Sequence, residues 1–129
     1  MYSFDKFHEL VSQTIDNNPF SKSPVELYEP MDYILNIGGK RIRPILTLLG
    51  TDLFDGDIEK ALKPSLAIEF FHNFSLMHDD IMDNASLRRS KPTVHEKYGL
   101  NDAILSGDAM LIKAYQYLED LEPELFKTT

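Results

Sequence analysis

Hydrophobic residues recur at intervals of three and four along most of the chain, which is the period of a helix with one buried face. In residues 4–18, for example, Phe4, Phe7, Val11 and Ile15 share a face. The segment at 64–83 is hydrophobic on every face, which predicts a helix surrounded by other helices. The pattern predicts helices over residues 4–18, 25–36, 44–53, 64–83 and 107–121, with a loop over 84–92 and short helices after it. Since no segment alternates with a period of two, the predicted class is all-α, with helix packing forming the core.

Turn residues and prolines divide these segments. Asn17-Asn18-Pro19 ends the first predicted helix, and Gly38-Gly39 ends the second. Pro30 predicts a kink or a restart inside the second helix. Asp57 is the predicted N-cap of a helix that follows the turn at 55–57.

The composition of the chain narrows the possible classes of protein. The chain has 129 residues, of which 43% are hydrophobic and 26% charged, as in ordinary soluble proteins. It has no cysteine, which excludes disulfides and thiolate metal sites and is consistent with a reducing compartment. We find no apolar run long enough for a membrane span and no signal-peptide core at the start, and expect a cytoplasmic protein without stable membrane insertion. The net charge of −8 argues against nucleic-acid binding.

Charged residues stand at two predicted helix ends where the helix dipole disfavours them. The cations of GGKRIRP, at 38–44, lie at a helix start, and the aspartates of HDDIMD, at 78–83, lie at a helix end. Each misplacement costs about 0.3–1 kcal/mol if nothing compensates it. A phosphate at the first end and a hard cation such as Mg²⁺ at the second would make both arrangements favourable.

The spacing of the acids supports this interpretation. Asp79 and Asp83 are four residues apart and project from one helix face. His72 precedes Asp79 by seven residues and lies within about 20° of that face. Because Mg²⁺ usually takes only one or two carboxylates and keeps its other positions for water and phosphate oxygens, this pair is enough to bridge a diphosphate to the protein.

Each feature taken alone also has a simpler explanation. Acidic clusters at helix ends are usually solvated, and GGKRIRP is compatible with a cationic surface patch. Arg88-Arg89 alone is typical of a solvated loop, and His72 alone of a hydrogen-bonded core histidine. The functional interpretation depends on their combination.

Three motifs together resemble the trans-isoprenyl diphosphate synthases, or polyprenyl synthetases. They are GGKRIRP at 38–44, HNFSLMHDDIMDNASLRRSKPTVHEKYG at 72–99 and LSGDAML at 105–111. The second contains that family's first aspartate-rich motif, DDxxD, with its trailing arginine pair. The resemblance implies an isoprenoid-synthase-type helical bundle, and a reaction in which isopentenyl diphosphate is joined to an allylic diphosphate with Mg²⁺ as cofactor.

The resemblance also implies residue roles. Asp79 and Asp83 would bind the metal directly, with Asp80 in a supporting position, and Arg88 would contact the allylic diphosphate. These four residues form the expected catalytic set. The isopentenyl diphosphate group would be held by Lys40, Arg43, His72 and Arg89.

The expected pocket for the growing chain runs along the 64–83 helix, lined by Phe70, Phe71 and Phe74. Helical geometry alone makes Phe71 the floor of this pocket, at about 80° from Asp79, whereas the resemblance points to Phe74, with Ser75 tuning the depth. Following the resemblance, we expect a product of fifteen to twenty carbons, with twenty favoured.

The sequence departs from the family in length. Members are at least about twice as long and carry a second aspartate-rich motif, which is not found here; Lys127-Thr128 follows Arg89 too soon to be their lysine-threonine pair. We therefore expect residues 1–129 to be the N-terminal portion of one polyprenyl synthetase domain, inactive by itself, from an enzyme that forms a homodimer. The alternatives are a catalytically silent diphosphate-binding subunit or fragment and, less favoured because an isopentenyl site is present, a terpene cyclase.

Overall fold

The computed structural model describes residues 3–20, 24–119 and 121, and this part of the chain is mainly helical. Its helices are α1 (Phe4–Asn17), α2 (Val25–Asn36), α3 (Ile42–Leu53), α4 (Ile58–Met82), α5 (Val94–Tyr98) and α6 (Leu100–Gln116). Strands β1 (Leu87–Arg88) and β2 (Lys91–Pro92) form a short antiparallel hairpin between α4 and α5. The all-α prediction is confirmed, and the hairpin lies in the segment predicted as a loop.

Helix α4 is the centre of the structure. It packs against α6 on one side and α3 on another, while α1 packs on α3 and α2 on α6. Leu66, Phe70 and Met77 of α4 are buried in a continuous hydrophobic core with Phe7 of α1 and Met110 of α6. The prediction of a helix enclosed by others is correct where α4 packs against α3 and α6. This packing fixes the position of α4 and, with it, of the aspartates at its C-terminal end.

Helix α4 begins six residues earlier than the predicted 64. Asp57 caps it by accepting hydrogen bonds from the backbone N–H groups of Glu59 at 3.0 Å and Lys60 at 3.4 Å, as predicted. Ile58 and Leu62 then pack on the core, so the first turns are stabilised by burial. The apolar run predicts a helix from Pro64, but this proline lies inside α4.

Pro30 likewise lies inside α2, which has the predicted bounds and continues without a restart.

Helix α6 begins at Leu100, not at 107, after a break at Gly99, whose φ is 96°. Gly107 is an interior residue of α6, where a Cβ would lie 2.5 Å from Nε2 of His78, so glycine permits the close approach of α4. None of the helices in the described residues is long and apolar enough to cross a membrane.

Candidate functional site

The loop between α2 and α3 presents two cations to solvent and turns a third inward. Gly38 leaves α2 with a φ of 89°, which glycine adopts without strain. Lys40 and Arg43 are exposed, whereas Arg41 between them is buried. Arg41, the N-cap residue of α3, makes no capping hydrogen bond with its side chain. This is the condition that suits an anion.

Arg43 and His72 meet across the gap between α3 and α4. Nη1 of Arg43 lies 3.2 Å from Nε2 of His72. Because a guanidinium can only donate, Nε2 is the acceptor and the ring proton of the neutral histidine is on Nδ1. Both side chains line a cleft of 460 Å³, here called the cation cleft, together with Lys40, Glu69, Leu76 and Arg89. The residues predicted to hold isopentenyl diphosphate are therefore brought together.

The pKa of His72 is lowered from its usual 6.5, first by burial and then by the positive charges of Arg43, Arg88 and Arg89. A neutral imidazole is therefore the main form near pH 7, and its Nδ1–H is a hydrogen-bond donor without a full charge. An anion in the cleft would offset the arginine charges and make protonation of the ring easier.

Arg89 reaches the cleft from the hairpin turn. Its Nη1 donates to the carbonyl oxygen of Gly38, and its guanidinium packs beside Gly39. A Cβ at position 39 would lie 3.1 Å from Nη2 of Arg89, closer than most side chains tolerate. The second glycine of the motif therefore makes room for an arginine 50 residues further along the chain.

Asp80 and Arg88 form the best-aligned ion pair of the site. Nε and Nη2 of Arg88 each donate to one carboxylate oxygen of Asp80, both at 2.8 Å. Asp80 is buried, and this hydrogen bond raises the pKa of Arg88. Asp80 is therefore directed at the arginine and not at the solvent where a metal would bind.

Asp79 and Asp83 are both exposed, and Asp83 is the C-cap of α4. Within the described residues, no group of three or more His, Asp or Glu side chains forms a candidate metal cluster. The pair fits Mg²⁺ by the chemistry of its donors, since it offers hard carboxylate oxygens and leaves the remaining positions open. A site of this kind is completed by the substrate and by further ligands.

The aromatic residues of α4 point to different places. Phe71 is 52% exposed and lines a groove of 290 Å³ between α4 and α6, with Ala67, Ile68, Tyr115 and others. The rings of Phe71 and Phe74 are 5.6 Å apart, and Phe74 makes an edge contact with His78 at 4.8 Å. Ser75 donates its hydroxyl to the carbonyl of His72 at 2.6 Å, so it stays close to the helix backbone.

Phe70 does not belong to this groove, contrary to the prediction. It is buried in the core, where its ring packs edge-on against Phe20 at 5.1 Å and Tyr117 at 4.9 Å. The all-round apolar pattern of the helix could not separate core-facing from groove-facing rings.

The sequence predicted no role for Glu69 and counted Arg41 only among the cations of GGKRIRP. Glu69 is a lone acid in an apolar run, and such a residue usually signals a buried partner. Arg41 is that partner, at 3.8 Å. The signal in the sequence was Glu69 itself: an acid within a helix that is apolar on every face is expected to be buried and to need a cationic partner.

An all-α fold with a cation-lined cleft at one helix start and a DDxxD carboxylate pair at another helix end defines a class of protein suited to binding diphosphates. The chain belongs to the polyprenyl synthetase family, whose family model matches residues 24–129. The recognition made from the motifs is confirmed.

Relatives extend the match to nearly the whole chain. It is 45% identical over 121 residues to a geranylgeranyl diphosphate synthase of Sulfolobus acidocaldarius, covering 92% of this chain and 37% of that protein. A crystal structure of a geranylgeranyl pyrophosphate synthase superposes with a TM-score of 0.94 at 42% identity, over 99% of this chain and 39% of the other. A geranyltranstransferase structure from Thermotoga maritima gives a TM-score of 0.88 at 35% identity, over 98% and 49%. The chain thus spans less than half the length of these relatives.

Proposed function

We propose that the protein containing this chain is a Mg²⁺-dependent prenyltransferase that joins isopentenyl diphosphate to an allylic diphosphate. The observation that carries the proposal is the divergence of two neighbouring arginines. Arg88 pairs with Asp80 inside the aspartate motif, whereas Arg89 enters the cation cleft. The two arginines therefore point to different places from one hairpin, which supports two diphosphate sites in an enzyme that joins two diphosphate-bearing substrates.

In the proposed reaction, the carbon–oxygen bond of the allylic diphosphate breaks and its electron pair leaves with the diphosphate. The double bond of isopentenyl diphosphate attacks the allylic carbon, and a proton is then lost from the product cation. Lys40, Arg43 and Arg89 would hold the isopentenyl diphosphate through its oxygens, with the Nδ1–H of His72 as a further donor. Arg88, which Asp80 orients and keeps protonated, would stabilise the leaving diphosphate.

Asp79 and Asp83 are the residues that would hold Mg²⁺. The metal, when bound, supplies positive charge opposite the diphosphate that leaves. The two carboxylates occupy the exposed last turns of α4, where the negative end of the helix dipole also favours a cation.

For the product we propose fifteen to twenty carbons, with twenty favoured. The proposal is supported by relatives named geranylgeranyl diphosphate synthase, since a geranylgeranyl group has twenty carbons. The groove at Phe71 and the position of Phe74 beside it support a chain pocket on this side of α4. We propose Phe71, Phe74 and Ser75 as the residues that limit its depth.

We also propose that residues 1–129 form the first portion of a single polyprenyl synthetase domain and that the enzyme is a homodimer. The share of the relatives' length that the chain spans supports the first statement. Exposed apolar residues on the outer face of α6, Leu105 and Ile112, are compatible with a subunit contact. The expected cytoplasmic location and the expected inactivity of the isolated segment stay predictions.

The test is a transfer assay with the protein expressed from its complete coding sequence. Labelled isopentenyl diphosphate and Mg²⁺ are incubated separately with allylic diphosphates of five, ten and fifteen carbons, and the dephosphorylated products are separated by chromatography. We expect label in a product of up to twenty carbons. Binding of both diphosphates without any transfer would favour the silent binding subunit, and conversion of an allylic diphosphate alone would favour a cyclase.

A further inference from the structure

Arg41 lies between two cations of the candidate isopentenyl diphosphate site, yet it points away from solvent. It is 9% exposed, and its Nη2 donates to the carbonyl oxygen of Leu35 in the last turn of α2. Its Nη1 lies 3.8 Å from Oε2 of Glu69 on α4. One guanidinium therefore connects the end of α2, the start of α3 and the middle of α4.

Glu69 is buried more deeply than Arg41, at 4% exposure, and lines the cation cleft. Its Oε1 accepts a hydrogen bond from Nδ2 of Asn73 at 3.2 Å, whereas its Oε2 has no hydrogen-bond partner among the described residues. A bare carboxylate here would repel a diphosphate and lose hydration, so it needs the charge of Arg41.

The backbone at Arg41 adds a second observation. Its φ of 54° and ψ of 32° place it in the left-handed region, which is uncommon for a residue with a side chain and costs about 1 kcal/mol or more. The conformation directs Arg41 inward while Lys40 and Arg43 face outward. Because the guanidinium is fixed at α2 and α4, it holds the turn in this unfavourable conformation.

We propose that Arg41 and Glu69 are positioning residues for isopentenyl diphosphate: they hold the turn that aims Lys40 and Arg43 into the cation cleft, and each neutralises the other beneath it. The pair touches no reacting atom, so it acts through the neighbouring cations. This inference rests on the proposed function, because it assigns a role within that same substrate site.

The experiment measures steady-state kinetics of the complete protein with both substrates varied. Arg41→Gly is the informative variant, because it removes the side chain with its guanidinium while glycine accepts the left-handed backbone without strain. We expect KM for isopentenyl diphosphate to rise about tenfold, the effect of losing one charge-assisted contact. KM for the allylic substrate should change less than twofold, which is roughly the largest change expected from an ordinary surface substitution. Asp55→Gly is the matched control, since Asp55 has a φ of 57° in an exposed turn and should leave both constants unchanged.

Two further variants separate positioning from folding. Glu69→Gln keeps the shape of the side chain and should also raise KM for isopentenyl diphosphate selectively. The double variant Arg41→Gly/Glu69→Gln removes both charges and should be less impaired than the sum of the single changes. KM does not depend on the folded fraction, so partial unfolding would not imitate the result.

An active enzyme whose KM for isopentenyl diphosphate is unchanged in both single variants would overturn the inference. So would equal changes in both KM values, or a failure of both variants to fold, since the pair would then be structural only. The proposed function fails differently: the unmodified protein would show no transfer at all.

Discussion

Asp80 and Arg88, eight residues apart, are joined by two parallel hydrogen bonds of 2.8 Å between guanidinium and carboxylate. The middle residues of an aspartate-rich motif are easily taken as metal ligands, but this carboxylate is buried and committed to an arginine. The ion pair links the end of α4 to the hairpin, and so fixes where Arg88 can meet a substrate.

The first prediction concerns this pair. Asp80→Asn should lower the free energy of unfolding by about 1–3 kcal/mol, because one hydrogen bond of the fork is lost and a buried charge pair is broken. Turnover should also fall, because Arg88 is no longer oriented. Thermal denaturation and the transfer assay measure the two effects. Asp55→Asn, in an exposed left-handed turn that asparagine tolerates, is the control. An unchanged melting temperature would contradict the structural role of the pair.

The second prediction concerns Asp79. Asp79→Ala should reduce turnover by orders of magnitude in the complete protein and leave stability almost unchanged, because the side chain is exposed. Titration with Mg²⁺ should show weak binding without a diphosphate and tighter binding with one, since few protein ligands are present. Glu96→Ala, an exposed acid on α5, is a charge-matched control. Near-normal turnover in the Asp79 variant would remove its metal role.

The third prediction uses glycines that differ in their surroundings. Gly39→Ala places a methyl group 3.1 Å from the Arg89 guanidinium at a residue whose φ of 157° is strained for alanine, and should raise KM for isopentenyl diphosphate by displacing the guanidinium or the turn. Gly50→Ala meets nothing within 4 Å inside α3 and should leave KM unchanged, while raising the unfolding free energy by about 0.5–1 kcal/mol. Kinetics and denaturation of both variants test this. Equal KM values for the two would show that the contact with Arg89 is not used.

The fourth prediction concerns pH. Because the folded state lowers the pKa of His72 below 6.5, the unfolded chain binds this proton more readily. The contribution of His72 to stability is therefore fully present above pH 6.5 and declines as the pH falls through the folded pKa. Arg43→Gln removes one cause of the lowering and should move the titration of His72 upward, as measured by nuclear magnetic resonance. A folded-state pKa above 6.5 in the unmodified protein would be contrary to this account.

The fifth prediction decides between Phe71 and Phe74 as the limit on product length. Phe74→Ala should lengthen the products, because it removes the ring nearest the aspartates. Phe71→Ala should have a smaller effect, since that ring lies about one helical turn further away. Phe54→Ala, whose ring is 83% exposed beyond α3, is the control. The chromatographic product profile of the three variants distinguishes them, and a longer product from Phe71→Ala alone would favour the geometric argument.

The sequence predicts helices well where one face is buried. The bounds of α2 agree with the prediction, and α1 differs by one residue, because their apolar residues follow a single stripe. The apolar run predicts only the part of α4 from residue 64, although the cap at Asp57 is predicted correctly; the turns between them are stabilised by Ile58 and Leu62, which are partly buried against the core. The predicted start of the last helix at Gly107 is wrong, because this glycine lies inside α6 and makes room for His78.

Pairings between distant residues were harder to predict. The motifs indicated which residues share the cation cleft, and the structure brings them together. They gave no sign that Asp80 would turn to Arg88, because that depends on the path of a loop with left-handed residues at Asn84 and Arg89. The pairing of Arg41 with Glu69 required the distance between two helices, which no local pattern contains.

The hairpin has a consequence for insertions and deletions. Surface loops usually tolerate a change of length, but this one sends Arg88 to α4 and the next residue, Arg89, to the end of α2. The two side chains diverge because β1 ends at Arg88 and Arg89 has a left-handed backbone with a φ of 50°. Adding or removing one residue between Asn84 and Arg88 would shift both arginines along the hairpin and away from their partners. Natural variation at this hairpin should therefore substitute residues freely at its exposed positions while keeping their number constant.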